Sequence, residues 1–220
     1  VDFVQPLTES LNRNVSNTFD DVNYEANKPR FISEERTLEQ SHISIGFPGA
    51  SRHSKSRYAL DLLIAILGEG MSSRLFQEIR EKRGLAYDIG AGVSHHTDTG
   101  AINIYAAVDK NKYETAIYLI SKELQKIKTH TYIEELDKVK SLFTGRLKLN
   151  REDTRSVANW NCNQILNEDP FQSTKDYVSK LTDVSLEDIM SVSSEYLSEE
   201  NMNIAVVGPA ESHHDPRRLK

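Results

Sequence analysis

Apolar residues recur along this chain in two kinds of pattern, and their order outlines a fold. In "SHISIGFPG", Ile43, Ile45 and Phe47 alternate with polar or small residues before Pro48-Gly49, which predicts a strand with one buried face. From about Ser54 to Leu67 the run is apolar on nearly every side and predicts a helix central to the core. "GEG" at 68–70 breaks it. "MSSRLFQEIREKR" then predicts a second helix, with Ser72 or Ser73 as N-cap and Gly84 as its C-terminal stop.

Period-two alternation returns twice. "AYDIGAGV" sets Tyr87, Ile89, Ala91 and Val93 against Ala86, Asp88, Gly90 and Gly92, and "AINIYAAV" does the same with Ile102, Ile104, Ala106 and Val108. The short polar link "SHHTDTG" predicts a hairpin loop and antiparallel pairing. Helical spacing then governs to residue 197. One stripe is Tyr113, Ile117, Ile120, Leu124 and Ile127; a second is Ile133, Leu136, Val139 and Phe143; a weaker helix covers roughly 153–167. "SLED" at 185–188 is a capping box opening a helix with Leu186, Ile189, Val192 and Tyr196, and "MNIAVVGP" closes the chain as a strand. The expected class is α+β, an antiparallel (mixed) sheet with helices packed on one face. Residues 1–28 read as a polar lead-in or linker from an upstream domain, 29–209 as the domain, and 210–220 as a polar tail.

Composition narrows the function classes. A net charge of -6 is a poor match to a phosphate backbone, so no nucleic-acid partner is expected. The longest greasy run, "ALDLLIAIL", is too short for a membrane span and contains Asp61, so no span is expected. The single cysteine, Cys162, excludes an internal disulfide framework and a cysteine-based zinc cluster; it reads as a small buried hydrophobe in a helix. It is compatible with a reducing compartment, and a cytoplasmic setting is favoured. The chain starts at Val1 with neither a signal nor a transit pattern, and the natural N-terminus is expected upstream.

Candidate chemistry is sparse. None of the seven histidines has a glutamate or second histidine at the offsets of H-E-x-x-H or H-x-x-E-H. His95-His96 with Asp98 is the best local cluster, but adjacent residues in an extended segment point opposite ways, so it reads as a solvated loop. No nucleophile elbow, phosphate-binding loop or dinucleotide fingerprint is present. No metal or cofactor site is expected in this chain.

Specific information lies in "LGEGMSSRLFQEIREKRGLAY", continued by "DTGAINIYAAVD" and "LTDVSLEDIMSVSSEYLSEENMNIAVVGP". These stretches resemble the second half-domain of the insulinase-type, or M16, zinc metallopeptidases, in the bacterial processing-protease branch related to mitochondrial processing peptidase. The resemblance covers most of residues 40–209. It implies two homologous halves closing as a clamshell around a chamber, with zinc held by an H-x-x-E-H half, either upstream in the same chain or a separate subunit. It implies a peptide substrate. It also implies that the half without zinc ligands contributes an arginine and a tyrosine seven positions apart, which fall here on Arg80 and Tyr87.

Local chemistry agrees with those roles. A cation in the last turn of a helix is favoured by the exposed carbonyls, and a guanidinium suits a peptide carbonyl or carboxylate. Tyr87 could donate to the oxyanion formed at a scissile carbonyl, and Gly84 lets the chain reverse so that both groups face one side. From the residues alone, simpler readings stand beside these. Arg80 belongs to the charged run "EIREKR", which can be a solvated face, and Tyr87 shares the phase of Ile89 and Val93, as a core tyrosine would. Arg74, Lys82 and Arg83 read as surface charges. Glu69 and Asp88 depart from the family pattern, a glycine and a serine respectively, and place negative charge near the pair. The alternative function is a non-proteolytic scaffold or binding subunit of the same fold; an unrelated α+β binding domain is the third reading.

Overall fold

The computed structural model describes residues 30–167 and 171–209; the polar lead-in and the tail lie outside them. Five strands form one sheet: β1 (Phe31–Glu35), β2 (Gln40–Pro48), β3 (Ala86–His95), β4 (Gly100–Asp109) and β5 (Asn203–Gly208). Their order is β1-β5-β2-β4-β3, with β1 parallel to β5 and every other pair antiparallel. The sheet is therefore mixed, and β3 forms one edge.

Alternation decides which face is buried. Ile43, Ile45 and Phe47 of β2, Ile102, Ile104, Ala106 and Val108 of β4, and Ile204 and Val206 of β5 all face the helices and are buried. The opposite face carries Ser44, Gly46, Gly90, Gly92, Ala101, Asn103, Tyr105 and Ala205, and Ser44 Oγ donates to Asn103 Oδ1 at 2.6 Å across it. Ile32, His42 and Asp88 share that face with Tyr105 and are exposed.

Helix α1 (Arg57–Gly68) is buried at every residue from Tyr58 to Gly68 except Asp61. It packs on β3 and also touches α3 (Ile133–Asn150), α5 (Thr174–Thr182) and α6 (Leu186–Tyr196), which explains its apolar circumference. Helix α2 (Tyr113–Thr129) packs on β2, β4 and α6, and its predicted stripe is buried throughout. In α3, Leu136 and Val139 are buried, but Ile133 opens the helix in solvent. Helix α4 (Thr154–Leu166) matches the predicted span. The Ser185–Asp188 capping box forms: Asp188 N donates to Ser185 Oγ at 3.1 Å and Ser185 N to Asp188 Oδ2 at 2.8 Å.

Candidate functional site

The stretch from Gly68 to Ile89 is built from two irregular elements around a glycine. Gly70 has φ +81, and Ser73 Oγ donates to Gly70 O at 2.8 Å, which turns the chain out of α1. Ser73 thus closes the turn and makes no side-chain bond into the following helix. That helix passes through a π-type turn over Phe76–Glu81, with Lys82 N donating to Gln77 O at 3.0 Å. Leu75 and Ile79 are fully buried and fasten it to the core. Gly84 ends it at φ +56, a conformation that suits glycine. Gly84 N bonds to Arg80 O and Leu85 N to Ile79 O, each at 3.0 Å. Both links are one residue wider than in the usual Schellman closure, as expected after a π turn.

The basic residues of this helix divide cleanly. Arg74 is held by Glu135, Nε to Oε1 at 2.8 Å and Nη2 to Oε2 at 2.5 Å, and donates to His130 O at 2.6 Å. Burial pushes the Glu135 carboxyl up, yet the Arg74 hydrogen bond and charge, with the Tyr132 N–H, leave it below its ordinary value. Lys82 and Arg83 both pair with Glu78, and their hydrogen bonds hold its carboxyl down at about 2. Arg80 makes no ion pair among the described residues. Its guanidinium lies over the Phe76 ring, 4.9 Å from the centroid, and it is exposed. The helix therefore leaves one cation outside its own charge pairing.

Tyr87 is treated differently from its strand neighbours. Ala86 pairs with Val108 and Asp88 with Ala107, so Tyr87 is the extra residue of a β-bulge. The insertion puts Ala86, not Tyr87, into the core-facing position ahead of Ile89. Ala86 is 6% exposed and Tyr87 is 59% exposed. The core-tyrosine reading is thereby corrected. The Tyr87 hydroxyl makes no hydrogen bond among the described residues, and the helical turn bearing Arg80 packs against β3. Arg80 and Tyr87 do not bond to each other; both stand exposed on either side of the Gly84 closure.

The two departures separate as well. Glu69 is ion-paired with Arg146 of α3, so its charge is matched, whereas Asp88 is exposed with no ion pair among the described residues. One aromatic escaped the sequence reading. Tyr105, 43% exposed, lies across Gly90 so closely that a Cβ there would meet its ring at 2.9 Å. A tyrosine in the polar phase opposite a glycine was the available signal.

Two further expectations need correction. His95 is not solvated: Nδ1 is 2.7 Å from Ala50 O, Nε2 is 3.2 Å from Asp61 Oδ1, and the side chain is 15% exposed. It occupies the helix-facing phase of β3, while His96 is exposed, so the two rings do point apart. Cys162 is exposed on α4, not buried. Among the described residues no three His, Cys, Asp or Glu side chains come together as a metal site, so they do not fit the zinc expected of a peptidase. No helix among them is long and apolar enough to cross a membrane.

Comparison with known proteins decides the family. A sequence profile described as the peptidase M16 inactive domain matches residues 1–143. The chain belongs to the M16 family, as its inactive domain. An uncharacterized zinc protease of Streptomyces coelicolor is 31% identical over 175 residues, covering 79% of this chain and 38% of that protein. The M16 chain thus spans less than half of that relative's length. A protease from Helicobacter pylori shares the fold at a TM-score of 0.80 and 23% identity, over 94% of this chain and 52% of that one. So does a chain of Candida albicans complex III2, at 0.74 and 18% identity, over 86% and 47%.

Proposed function

We propose that this inactive M16 domain is the substrate-binding half of a zinc-dependent endopeptidase, with the metal held by an H-x-x-E-H half that closes a chamber over it. Tyr87 carries the reading: a one-residue bulge turns an otherwise core-facing tyrosine out of the core, and its hydroxyl has no hydrogen-bond partner among the described residues. In a peptide complex the Tyr87 hydroxyl donates to the oxyanion that develops at the scissile carbonyl. Arg80, which makes no ion pair among the described residues, grips a neighbouring peptide carbonyl or carboxylate with its fork of donors. Edge strand β3 offers main-chain hydrogen bonds to an extended peptide. Asp88 beside Tyr87 favours a basic side chain at the nearest substrate position. A cytoplasmic setting belongs to this reading, because an exposed lone thiol such as Cys162 stays reduced there.

The test is Tyr87→Phe in the longer protein that includes the zinc half. Turnover of a peptide should fall roughly tenfold to a thousandfold, the range for losing an oxyanion donor. Thermal stability should not change, because the hydroxyl makes no hydrogen bond among the described residues. Unchanged turnover rejects the role. A second reading, a non-proteolytic scaffold subunit, is favoured by the fold shared with the complex III2 chain. An H-x-x-E-H motif in the companion half supports the protease, and its absence supports the scaffold.

A further inference from the structure

Eight residues along β3 from Tyr87, roughly 26 Å away at the rise of a strand, the sheet's helix side holds a recess that the peptide chemistry leaves unused. Its volume is about 240 Å³, and its lining includes Arg57, Asp61, His95, Trp160, Gln164 and Tyr177. His95 and Asp61 settle their charges between themselves. Both ring nitrogens of His95 face acceptors, Ala50 O and Asp61 Oδ1, an arrangement that favours the doubly protonated ring, and in that form its charge cancels the carboxylate's. What remains is donor-rich.

Gln164 is only 6% exposed, and its Oε1 accepts from Gln172 N at 2.6 Å, which fixes the orientation of the amide. Its Nε2 then has no partner among the described residues, and neither has the buried Trp160 Nε1. Buried donors are costly to leave unmet, so what fills this recess brings acceptors. Arg57 adds charge. It donates to Arg52 O at 2.6 Å and to the Tyr58 hydroxyl at 2.8 Å, and it makes no ion pair among the described residues. Trp160 and Tyr177 meet edge to face, 5.3 Å between centroids, and give the recess an apolar side.

We propose that this recess binds a small organic carboxylate, its oxygens accepting from Arg57, Gln164 and Trp160 and its carbon part lying against Trp160 and Tyr177. The proposal does not depend on the proteolytic reading, since the residues are different and at the other end of the strand.

Trp160 is the only tryptophan in the chain, so its indole N–H resonance reports on this recess alone. The 220-residue chain is titrated with succinate, and separately with inorganic phosphate and with sodium chloride at matched ionic strength. Succinate should shift the resonance saturably, with half-saturation in the millimolar range or below. Gln164→Glu keeps the acceptor for Gln172 N and turns the free donor into an acceptor, and it should weaken succinate at least about tenfold. Gln164→Leu, which adds no charge, should weaken it in the same direction, and circular dichroism checks that either variant is folded. A shift that does not saturate, or that chloride reproduces, means that the recess holds water and overturns the proposal. Phosphate binding as tightly as succinate overturns the assignment to an organic acid. Unchanged half-saturation in a folded Gln164 variant overturns the site.

Discussion

Helix α1 meets β3 with almost no room between them at Gly68, and Gly68→Ala tests that approach. A Cβ on Gly68 would stand 2.2 Å from Ala91 N, 2.4 Å from Ala91 Cβ and 2.8 Å from Ala91 Cα. Ordinary contact starts near 3.4 Å, so helix and strand would have to part by roughly 1 Å. The obstacle includes backbone, and Leu63 and Leu67 on the same helix are completely buried, so a rotamer change cannot relieve it. Overpacking of this kind costs about 3 kcal/mol at the upper end of its usual range. Alanine's better helix propensity returns at most about 1 kcal/mol. The net loss is therefore about 2 kcal/mol.

Urea unfolding followed by circular dichroism should read this as a midpoint lowered by roughly 0.8 M, taking a slope of about 2.5 kcal/mol/M. The slope itself should stay constant. Adding Ala91→Gly removes the Cβ contact but not the approach to Ala91 N, so the double variant should recover only part of the loss. A Gly68→Ala chain within about 0.5 kcal/mol of the parent would refute the reasoning, because that is the size of an ordinary surface change. Because Tyr87 is the second residue of β3, the same variant should also perturb the proposed site from a distance.

Three further outcomes follow from charge pairing. Arg74→Ala leaves the half-buried Glu135 without its partner and should cost about 3 kcal/mol, seen as a melting temperature lowered by roughly 6 °C or more. Burial pulls the His95 pKa down, but the hydrogen bonds its ring donates to Asp61 and to Ala50 O, with the Asp61 charge, carry it above 6.5. Its stabilisation is therefore full below pH 6.5 and fades as pH rises through the raised value, so the urea-midpoint gap between parent and His95→Gln should narrow from pH 6 to pH 9. Glu78, held near 2 by Lys82 and Arg83, stabilises above pH 4.5 and loses that contribution as pH falls toward 2. Its partners are 62% and 41% exposed, so Glu78→Gln should cost less than about 1 kcal/mol at pH 7, and less still at pH 3.

Most of the fold was legible because its elements keep one period. The stripe of α2, the alternation of β2 and β4 and the capping box of α6 each repeat a signal often enough to be read. Two elements were not read. In β1 only Phe31 turns toward the core, and the remaining four residues are exposed, so there is no alternation to see. Helix α5 buries only Leu181 fully, although its Ser173–Asp176 capping box stands in the sequence. The proposed site was half legible: the family resemblance put Arg80 and Tyr87 forward by their spacing, but said nothing of their presentation. Period arguments assume that the period is constant, and here it is broken twice, by a π turn at 76–81 and a bulge at 87. Each inserts one residue, and one insertion is enough to move a side chain from core to surface. Such irregularities lower regularity where a plain helix and strand would serve packing as well, and they recur next to functional sites. Arg80 is set apart from Lys82 and Arg83 because Glu78 takes both of those, and Tyr87 from Ile89 because the bulge lifts it out of phase. The observations that favour a functional pair over a charged face and a core ring are therefore a missing ion pair and an extra residue, neither of which hydrophobic periodicity records.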